Sequence, residues 1–381
     1  MQSLRDFQIQ ALRALEKKSA HVICVAPTGS GKSLIYELYA TKTNVRTILV
    51  TPLLALARQQ KKALSFKNTP VFTKEDLIYL LHTSPKNGVL ILNPESFLYA
   101  HSLRLITHWK PNFFVVDECH CFWDWGEDFR TAFTFLPKIL KNLHISKSLW
   151  LTATLPYQAR AMLKTELPSP IVEIGKFEFT KKVFLSSMQI PWQYRVSFLI
   201  DLVRNKTDPG LIFVQTRNEA EKLALLLSKH VNAIAFYHAG LSHEERIHLE
   251  NQYKLKTIKI LVSTSAFGMG MNLSHLRWVI SYQLPPSVLF LTQAIGRVGR
   301  DSNYLDHAYL LWEKTDFQLL EGIAFNSVRK RNELYALFDF LKNSKCLIQG
   351  LTKYFENEEA PICKDKCNYC TQHNARGLKM A

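Results

Sequence analysis

Lys32 and Ser33 end the segment Ala26-Pro27-Thr28-Gly29-Ser30-Gly31-Lys32-Ser33, which follows the apolar run His21–Val25 and opens the helix-forming run Ser33–Ala40. Gly29 and Gly31 let backbone N–H groups close round phosphate oxygens, and the start of a helix adds partial positive charge there. Thr28, Gly29, Ser30 and Gly31 therefore form a candidate phosphate cradle, with alanine at Ala26 where the general pattern has its first glycine. Lys32 is placed to reach β- and γ-phosphates, and the Ser33 hydroxyl to bind Mg²⁺. A plain glycine turn between strand and helix would need neither side chain. Further on, the apolar run Phe113–Val116 delivers Asp117-Glu118-Cys119-His120. An acid at the end of such a strand is where an enzyme with this loop holds its Mg²⁺, and the next acid can polarise the attacking water. Cys119 between them reads as small-residue packing. Thr152-Ala153-Thr154 follows another apolar run, and by residue type alone its threonines suggest a cap for the next helix.

These residues need a scaffold that holds them at strand ends. Val22–Val25, Thr47–Val50, Val89–Leu92, Phe113–Val116 and Leu149–Leu151 read as buried strands of a parallel sheet with helices between them. That is an α/β domain whose ligand sits at the carboxyl ends of the strands. A second α/β pattern starts after Gly175, with strands over Leu211–Val214, Ala233–Phe236, Ile258–Val262 and Trp278–Ser281, and it has no phosphate loop of its own. Arg297 and Arg300 lie three apart, so on a helix both would project from nearly one face.

Cys346 precedes Cys363 by seventeen positions, and Cys367 and Cys370 follow closely. Four thiols so spaced suit a tetrahedral Zn²⁺ site. Two disulfides or four unrelated free thiols are the alternatives; the compartment opposes the first and the spacing the second. The helix expected over Asn332–Leu347 would carry Cys346, and His373 stands as an alternative ligand. No charged start and apolar core of a signal peptide is evident, and no apolar run has the length to span a bilayer, so a cytoplasmic protein without membrane contact is expected. The net charge of +16 calls for an anionic partner, nucleic acid first.

The phosphate loop, the DECH tetrad and the TAT triplet, in this order, resemble superfamily 2 helicases. The stretch Cys121-Phe122-Trp123-Asp124-Trp125-Gly126-Glu127-Asp128-Phe129-Arg130 resembles the aromatic-rich loop of the RecQ family, usually CxxxWGxDFR. Leu4-Arg5-Asp6-Phe7-Gln8 is similar to that family's FRxxQ segment, with leucine for phenylalanine. Tyr237–Leu241 resembles its YHAGL, Val262–Asn272 its motif V, and Gln293–Asp301 its QxxGRxGRD. The resemblance implies that the aromatic loop couples single-stranded DNA to ATP hydrolysis through Trp125, Asp128, Phe129 and Arg130. A histidine or tyrosine often precedes that aspartate, and here the position is Glu127. It further implies adenine recognition by Gln8 with Arg5 beside it, and transition-state charge stabilisation by Gln293, Arg297 and Arg300 on the nucleotide held by the first domain. It also implies a helix cysteine and a three-cysteine cluster binding zinc, although Cys363-x3-Cys367 is one residue longer than the usual CxxC.

The expected architecture is α/β, with two tandem RecA-like parallel-sheet domains over 1–176 and 177–335 and a small helical four-cysteine zinc-binding subdomain over 336–381. The implied activity is an ATP-dependent 3′-to-5′ DNA helicase acting in repair or recombination, a monomer using ATP, Mg²⁺ and Zn²⁺. Eleven residues follow Cys370, so a short form without winged-helix and further accessory domains is expected, its missing elements replaced by a protein partner. A DNA-stimulated translocase that unwinds poorly alone, a DExH RNA helicase and a nucleic-acid scaffold with a dead ATPase are the competing readings.

Overall fold

The computed structural model describes residues 4–52, 54–65, 67–124, 131–179, 182–264, 267, 275–300 and 304–371. The chain divides into two compact units, Met1–Glu178 and Phe179–Ala381. Among the described residues the first unit holds seven strands: β1 (Ala20–Val25), β2 (Arg46–Val50), β3 (Val71–Phe72), β4 (Gly88–Leu92), β5 (Phe113–Val116), β6 (Lys147–Thr152) and β7 (Ile171–Ile174). They form one sheet in the order β3-β4-β2-β5-β6-β1-β7, every pairing parallel. Successive side chains of a strand face opposite sides. Ile23 and Val25 accordingly enter one core with Trp109, Phe114 and Trp150, while Val22 and Cys24 enter another with Tyr36, Phe113 and Leu149. Both faces are covered by helices, which is why the central strands read as unbroken apolar runs. Each buried aliphatic side chain contributes about 1.5–3 kcal/mol, enough to offset the ordering of its backbone at about 1–2 kcal/mol.

The second unit repeats the plan with β8 (Val183–Gln189), β9 (Gly210–Phe213), β10 (Ile234–Tyr237), β11 (Ile260–Ser263), β12 (Trp278–Ser281) and β13 (Asp306–Trp312). Their order is β10-β11-β9-β12-β13-β8, again all parallel. A wholly buried Arg195 ties the helix Trp192–Arg204 to the helix Lys314–Ile323. Its Nη1 donates to Asp316 Oδ1 at 3.0 Å, and its guanidinium lies over the rings of Trp192 and Tyr282. The two-sheet α/β architecture expected from the strand pattern is the one observed, and the nine predicted strands fall within about two residues of those found.

The cysteine segment belongs to the second unit and docks on its edge strand. Leu185 N–H donates to Lys366 O at 2.9 Å, and Leu185 pairs with Cys367 in a parallel bridge. Asn368 then takes the Ser187 N–H on its Oδ1 at 3.1 Å and donates its Nδ2 to Ser187 O at 2.9 Å. The exposed edge of β8 thus has its backbone groups answered by the segment that carries three of the cysteines. Among the described residues no helix is long and apolar enough to cross a membrane.

Candidate nucleotide site and cysteine cluster

The phosphate loop leaves the carboxyl end of β1 and runs into the helix Ser33–Tyr39, with Lys32 at its N-cap. Gly29 and Gly31 adopt φ of +74° and +80°, a region L side chains rarely enter. At Gly31 there is a second constraint, since a Cβ would stand 3.0 Å from Gln8 Nε2. The Lys32 ammonium lies over the loop, donating to Ala26 O at 2.8 Å and Pro27 O at 3.1 Å. It is held where phosphate oxygens would compete with those carbonyls. Thr28 is exposed at the turn, whereas Ser30 is buried with its N–H on Pro27 O at 3.1 Å.

Gln8 is buried in the helix Asp6–Glu16 and bridges this loop to the chain start. Its Oε1 accepts the Arg5 N–H at 2.8 Å and its Nε2 donates to Gly31 O at 2.7 Å. Each contact uses one of the amide's two donors or two lone pairs. One donor and one acceptor remain, the set needed to read an adenine edge.

Asp117 and Glu118 follow β5 at the same carboxyl end. Since β6 lies between β5 and β1, Thr152 at its end stands between the acids and the phosphate loop. Burial, reinforced by the neighbouring Glu118, pushes the Asp117 carboxyl up to about 7, and Lys32 counters this. Gln60, on the helix Leu54–Ser65, donates its Nε2 to Asp117 Oδ2 at 2.7 Å. No sequence signal marks Gln60, because a polar residue on a helix is ordinarily solvated. Glu118 takes a left-handed φ of +53°, and its Oε2 is 3.2 Å from His120 Nδ1. The same ring nitrogen is 2.9 Å from Thr152 Oγ1, which in turn donates to Thr154 O at 3.0 Å. A carboxylate can only accept, so Nδ1 carries the proton. The threonines therefore do not cap the following helix, whose N-cap is Pro156; Thr152 is spent on His120. Cys119 is wholly buried in the core, as its residue type suggested, and burial together with Glu118 and Asp117 holds its thiol well above the ordinary range.

Burial and hydroxyl and carboxylate oxygens suit a hard divalent cation: Ser33 and Asp117 have the donor chemistry of an Mg²⁺ site. Trp125, Asp128, Phe129 and Arg130 lie outside the described residues, as do most of the motif V stretch and His373.

In the second unit Gln293 is on the helix Val288–Ile295, and its buried Nε2 has no hydrogen-bond partner. The expectation that Arg297 and Arg300 share a helix face does not hold. Gly296 caps the helix, and both arginines lie in the turn beyond it, where Gly299 has φ of +74°. Glycines on either side of Arg297 remove the side chains that would favour continuing the helix. Tyr237-His238-Ala239-Gly240-Leu241 follows β10, and His238 Nε2 meets Glu221 Oε1 at 2.8 Å.

The helix expected over Asn332–Leu347 ends instead at Asn343, and Cys346 is the N-cap of the next helix, Leu347–Glu356. Cys346 is extended, with φ −141°, so its Sγ accepts the N–H groups of Gln349 at 3.4 Å and Cys363 at 3.3 Å. Burial raises this thiol, yet the two N–H groups, together with the thiols of Cys363 and Cys370, outweigh it and bring the thiol below its ordinary value. The four Sγ atoms of Cys346, Cys363, Cys367 and Cys370 all lie within 4.8 Å of one another. The separations of 3.5 Å (Cys363–Cys367), 3.7 Å (Cys363–Cys370) and 4.0 Å (Cys367–Cys346) exceed a disulfide bond of about 2.05 Å. They bracket the roughly 3.8 Å between thiolates placed tetrahedrally about 2.3 Å from a zinc ion.

Residues 5–163 match the DEAD/DEAH box helicase family, and residues 194–302 the helicase conserved C-terminal domain. The ATP-dependent DNA helicase RecQ of Pasteurella multocida is 29% identical over 387 residues, covering 97% of this chain and 60% of that protein. The probable ATP-dependent DNA helicase RecS of Bacillus subtilis is 30% identical over 313 residues, covering 79% of this chain and 62% of that one. The chain thus spans about six tenths of the length of these curated relatives. Among solved structures, Saccharomyces cerevisiae Dbp5 bound to RNA and ADP BeF3 superposes with a TM-score of 0.64 at 18% identity, covering 85% of this chain and 88% of that one, a likeness of fold.

Proposed function

The chain belongs to the RecQ family of DEAD/DEAH-box helicases, and on that premise we propose that it is an ATP-dependent DNA helicase that moves 3′ to 5′ on one strand and serves repair or recombination. The observation that carries this reading is the convergence of Lys32, Asp117 and the Thr152–His120 pair on the carboxyl ends of three neighbouring strands, β1, β5 and β6. Relatives that bear the helicase name support the substrate.

In this reading Gln8 reads the adenine edge with Arg5 beside it. The N–H groups of residues 28–33 cradle the phosphates, and Lys32 turns from its carbonyls to the β- and γ-phosphates. Mg²⁺, held by Ser33 and Asp117, would neutralise developing phosphate charge. Glu118 accepts a proton from the attacking water, and His120, anchored on Thr152, reports the state of that carboxylate to the end of β6. Gln293, Arg297 and Arg300 supply positive charge and hydrogen bonds to the transition state, an effect worth about 10³–10⁵ in rate in other phosphoryl-transfer enzymes. Trp125, Asp128, Phe129 and Arg130 link DNA to this chemistry. Cys346, Cys363, Cys367 and Cys370 bind a structural Zn²⁺. The protein acts as a cytoplasmic monomer.

Lys32→Ala is expected to abolish DNA-stimulated ATP hydrolysis while leaving the fold intact. Turnover equal to that of the parent chain would sink the nucleotide site. Strand displacement on a 3′-tailed duplex, measured alongside, distinguishes a helicase from a translocase that hydrolyses ATP without releasing a strand, and stimulation by RNA in place of DNA would reassign the substrate.

A further inference from the structure

Asp306 opens β13 and is completely buried, yet no ordinary requirement of a strand calls for a carboxylate there. Its Oδ2 accepts the Gly299 N–H at 2.7 Å, and its Oδ1 meets Arg277 Nη1 at 3.4 Å. A buried carboxylate is costly unless paired and hydrogen-bonded, and here the Gly299 N–H binds it closely while the Arg277 guanidinium balances its charge. Gly299 stands between Arg297 and Arg300 in the turn that leaves the helix Val288–Ile295. The near end of that turn is held by the helix itself, through Arg297 N–H on Ala294 O at 3.1 Å and Val298 N–H on Ile295 O at 3.1 Å. Its far end is held by Asp306. The anchor is rigid in its turn. Asp306 N–H is bonded to Lys182 O at 2.9 Å, β13 is paired to β12 and β8, and the Arg277 guanidinium is stacked 4.1 Å over the Tyr304 ring.

We infer that Asp306 is a positioning residue for phosphoryl transfer: its carboxylate fixes the Gly299 turn, and through it the directions of Arg297 and Arg300. The inference rests on the reading of those arginines as transition-state donors. Two features support a role in aiming beyond a role in folding. The acceptor is spent on the backbone N–H next to Arg300, at a residue whose φ of +74° departs from the helix that holds the Val298 N–H before it. The charge is balanced by Arg277, a residue of the strand platform outside the turn.

The parent chain, Asp306→Asn, Asp306→Ala and Arg300→Ala are compared for ATP hydrolysis with a single-stranded oligonucleotide, for thermal unfolding, and for amide hydrogen exchange over 296–300. An asparagine keeps the shape but must place its NH₂ against either Gly299 N–H or the guanidinium. Misplacing a reacting group by about an ångström can cost around a hundredfold in rate. Asp306→Asn is therefore expected to lower kcat by about ten- to a hundredfold, to leave KM for ATP within about twofold, and to speed exchange in the turn. If kcat matches the parent while Arg300→Ala is inactive, positioning by Asp306 is wrong and the ATPase reading stands. A global loss of stability with kcat and exchange in the turn unchanged at temperatures below unfolding also overturns it. Should the parent chain itself fail to hydrolyse ATP, the proposed function falls, and exchange over 296–300 decides alone: faster exchange in Asp306→Asn upholds the clamp, unaltered exchange ends it.

Discussion

Lys32, Asp117 and the glycines between which the loop turns were legible because their chemistry forces residue type and spacing together: a phosphate cradle needs φ values only glycine takes readily, and a cation needs an acid at a strand end. The side chains that aim those groups were not legible. Gln60 is one glutamine on a polar helix, and only the structure puts its Nε2 2.7 Å from Asp117 Oδ2. Gln60 also stands beside the wholly buried Tyr36 hydroxyl, as does Ser33. Partners that orient a ligating carboxylate typically matter by about 10–100-fold in metal affinity. Gln60→Ala should therefore raise the Mg²⁺ concentration that half-saturates ATP hydrolysis by about that factor, while Gln60→Glu should do so less predictably because it adds charge beside Asp117. A Mg²⁺ titration of Gln60→Ala that superposes on the parent's would remove Gln60 from the site. Thr152 teaches a related lesson. By type it was a helix cap, but its hydroxyl is committed to Thr154 O and its lone pair to His120, a pairing between residues thirty-two positions apart that spacing cannot express.

At the level of elements, eight of the nine strands read correctly are buried along nearly their whole length, and the ninth, the half-buried edge strand β10, is apolar throughout. β3 is two residues long, β7 carries Glu173 among its four residues, β8 contains Ser186 and Ser187, and β13 begins with Asp306 and His307, so none of the four presents a long continuous apolar run. β8 is also an edge strand, whose inner positions alone must be apolar. The displaced helix end near Cys346 has the same origin. Apolar periodicity runs on from Leu334 through Leu347, but the chain breaks at Ser344 and restarts with the Cys346 side chain as the cap of the new helix. That break lets Sγ, rather than the backbone of a helix interior, face the other three thiols. Because Lys366, Cys367 and Asn368 also pair with β8, the cysteine cluster and the sheet edge are coupled. Structural zinc contributes about 10–16 kcal/mol in small peptides, comparable with the whole net stability of a domain, about 5–15 kcal/mol. Freshly purified protein should therefore carry one zinc per chain, and a chelator should lower the thermal midpoint and open 361–371 to protease. A metal content far below one, or a midpoint indifferent to the chelator, would leave the four cysteines without a metal role.

For the whole molecule, composition supplied one statement that no motif contains: an excess of sixteen positive charges at neutral pH. Two units of the same α/β plan, only the first with a phosphate loop, were legible because each repeats the same alternation of apolar strand and helix. The surface proposed to meet nucleic acid was not, since charge counts give sign without place, and the aromatic loop from Trp125 to Arg130 lies outside the described residues. Electrostatics still constrains the encounter. A protein that neutralises phosphates on a single strand releases condensed counterions, and the logarithm of affinity falls with the logarithm of salt by about 0.7 for each phosphate neutralised. A helicase that grips a strand along its backbone engages several phosphates at once; with four, the slope is about −3, and affinity should fall roughly fiftyfold between 50 and 200 mM salt. Fluorescence anisotropy of a labelled single-stranded oligonucleotide across that range measures the slope directly. Stacking of bases on aromatic rings is far less sensitive to salt and adds about 1–3 kcal/mol per base. A slope close to zero with tight binding would therefore shift the weight of recognition from the basic surface to the aromatic loop, and a slope close to zero with weak binding would deprive the net charge of its proposed meaning.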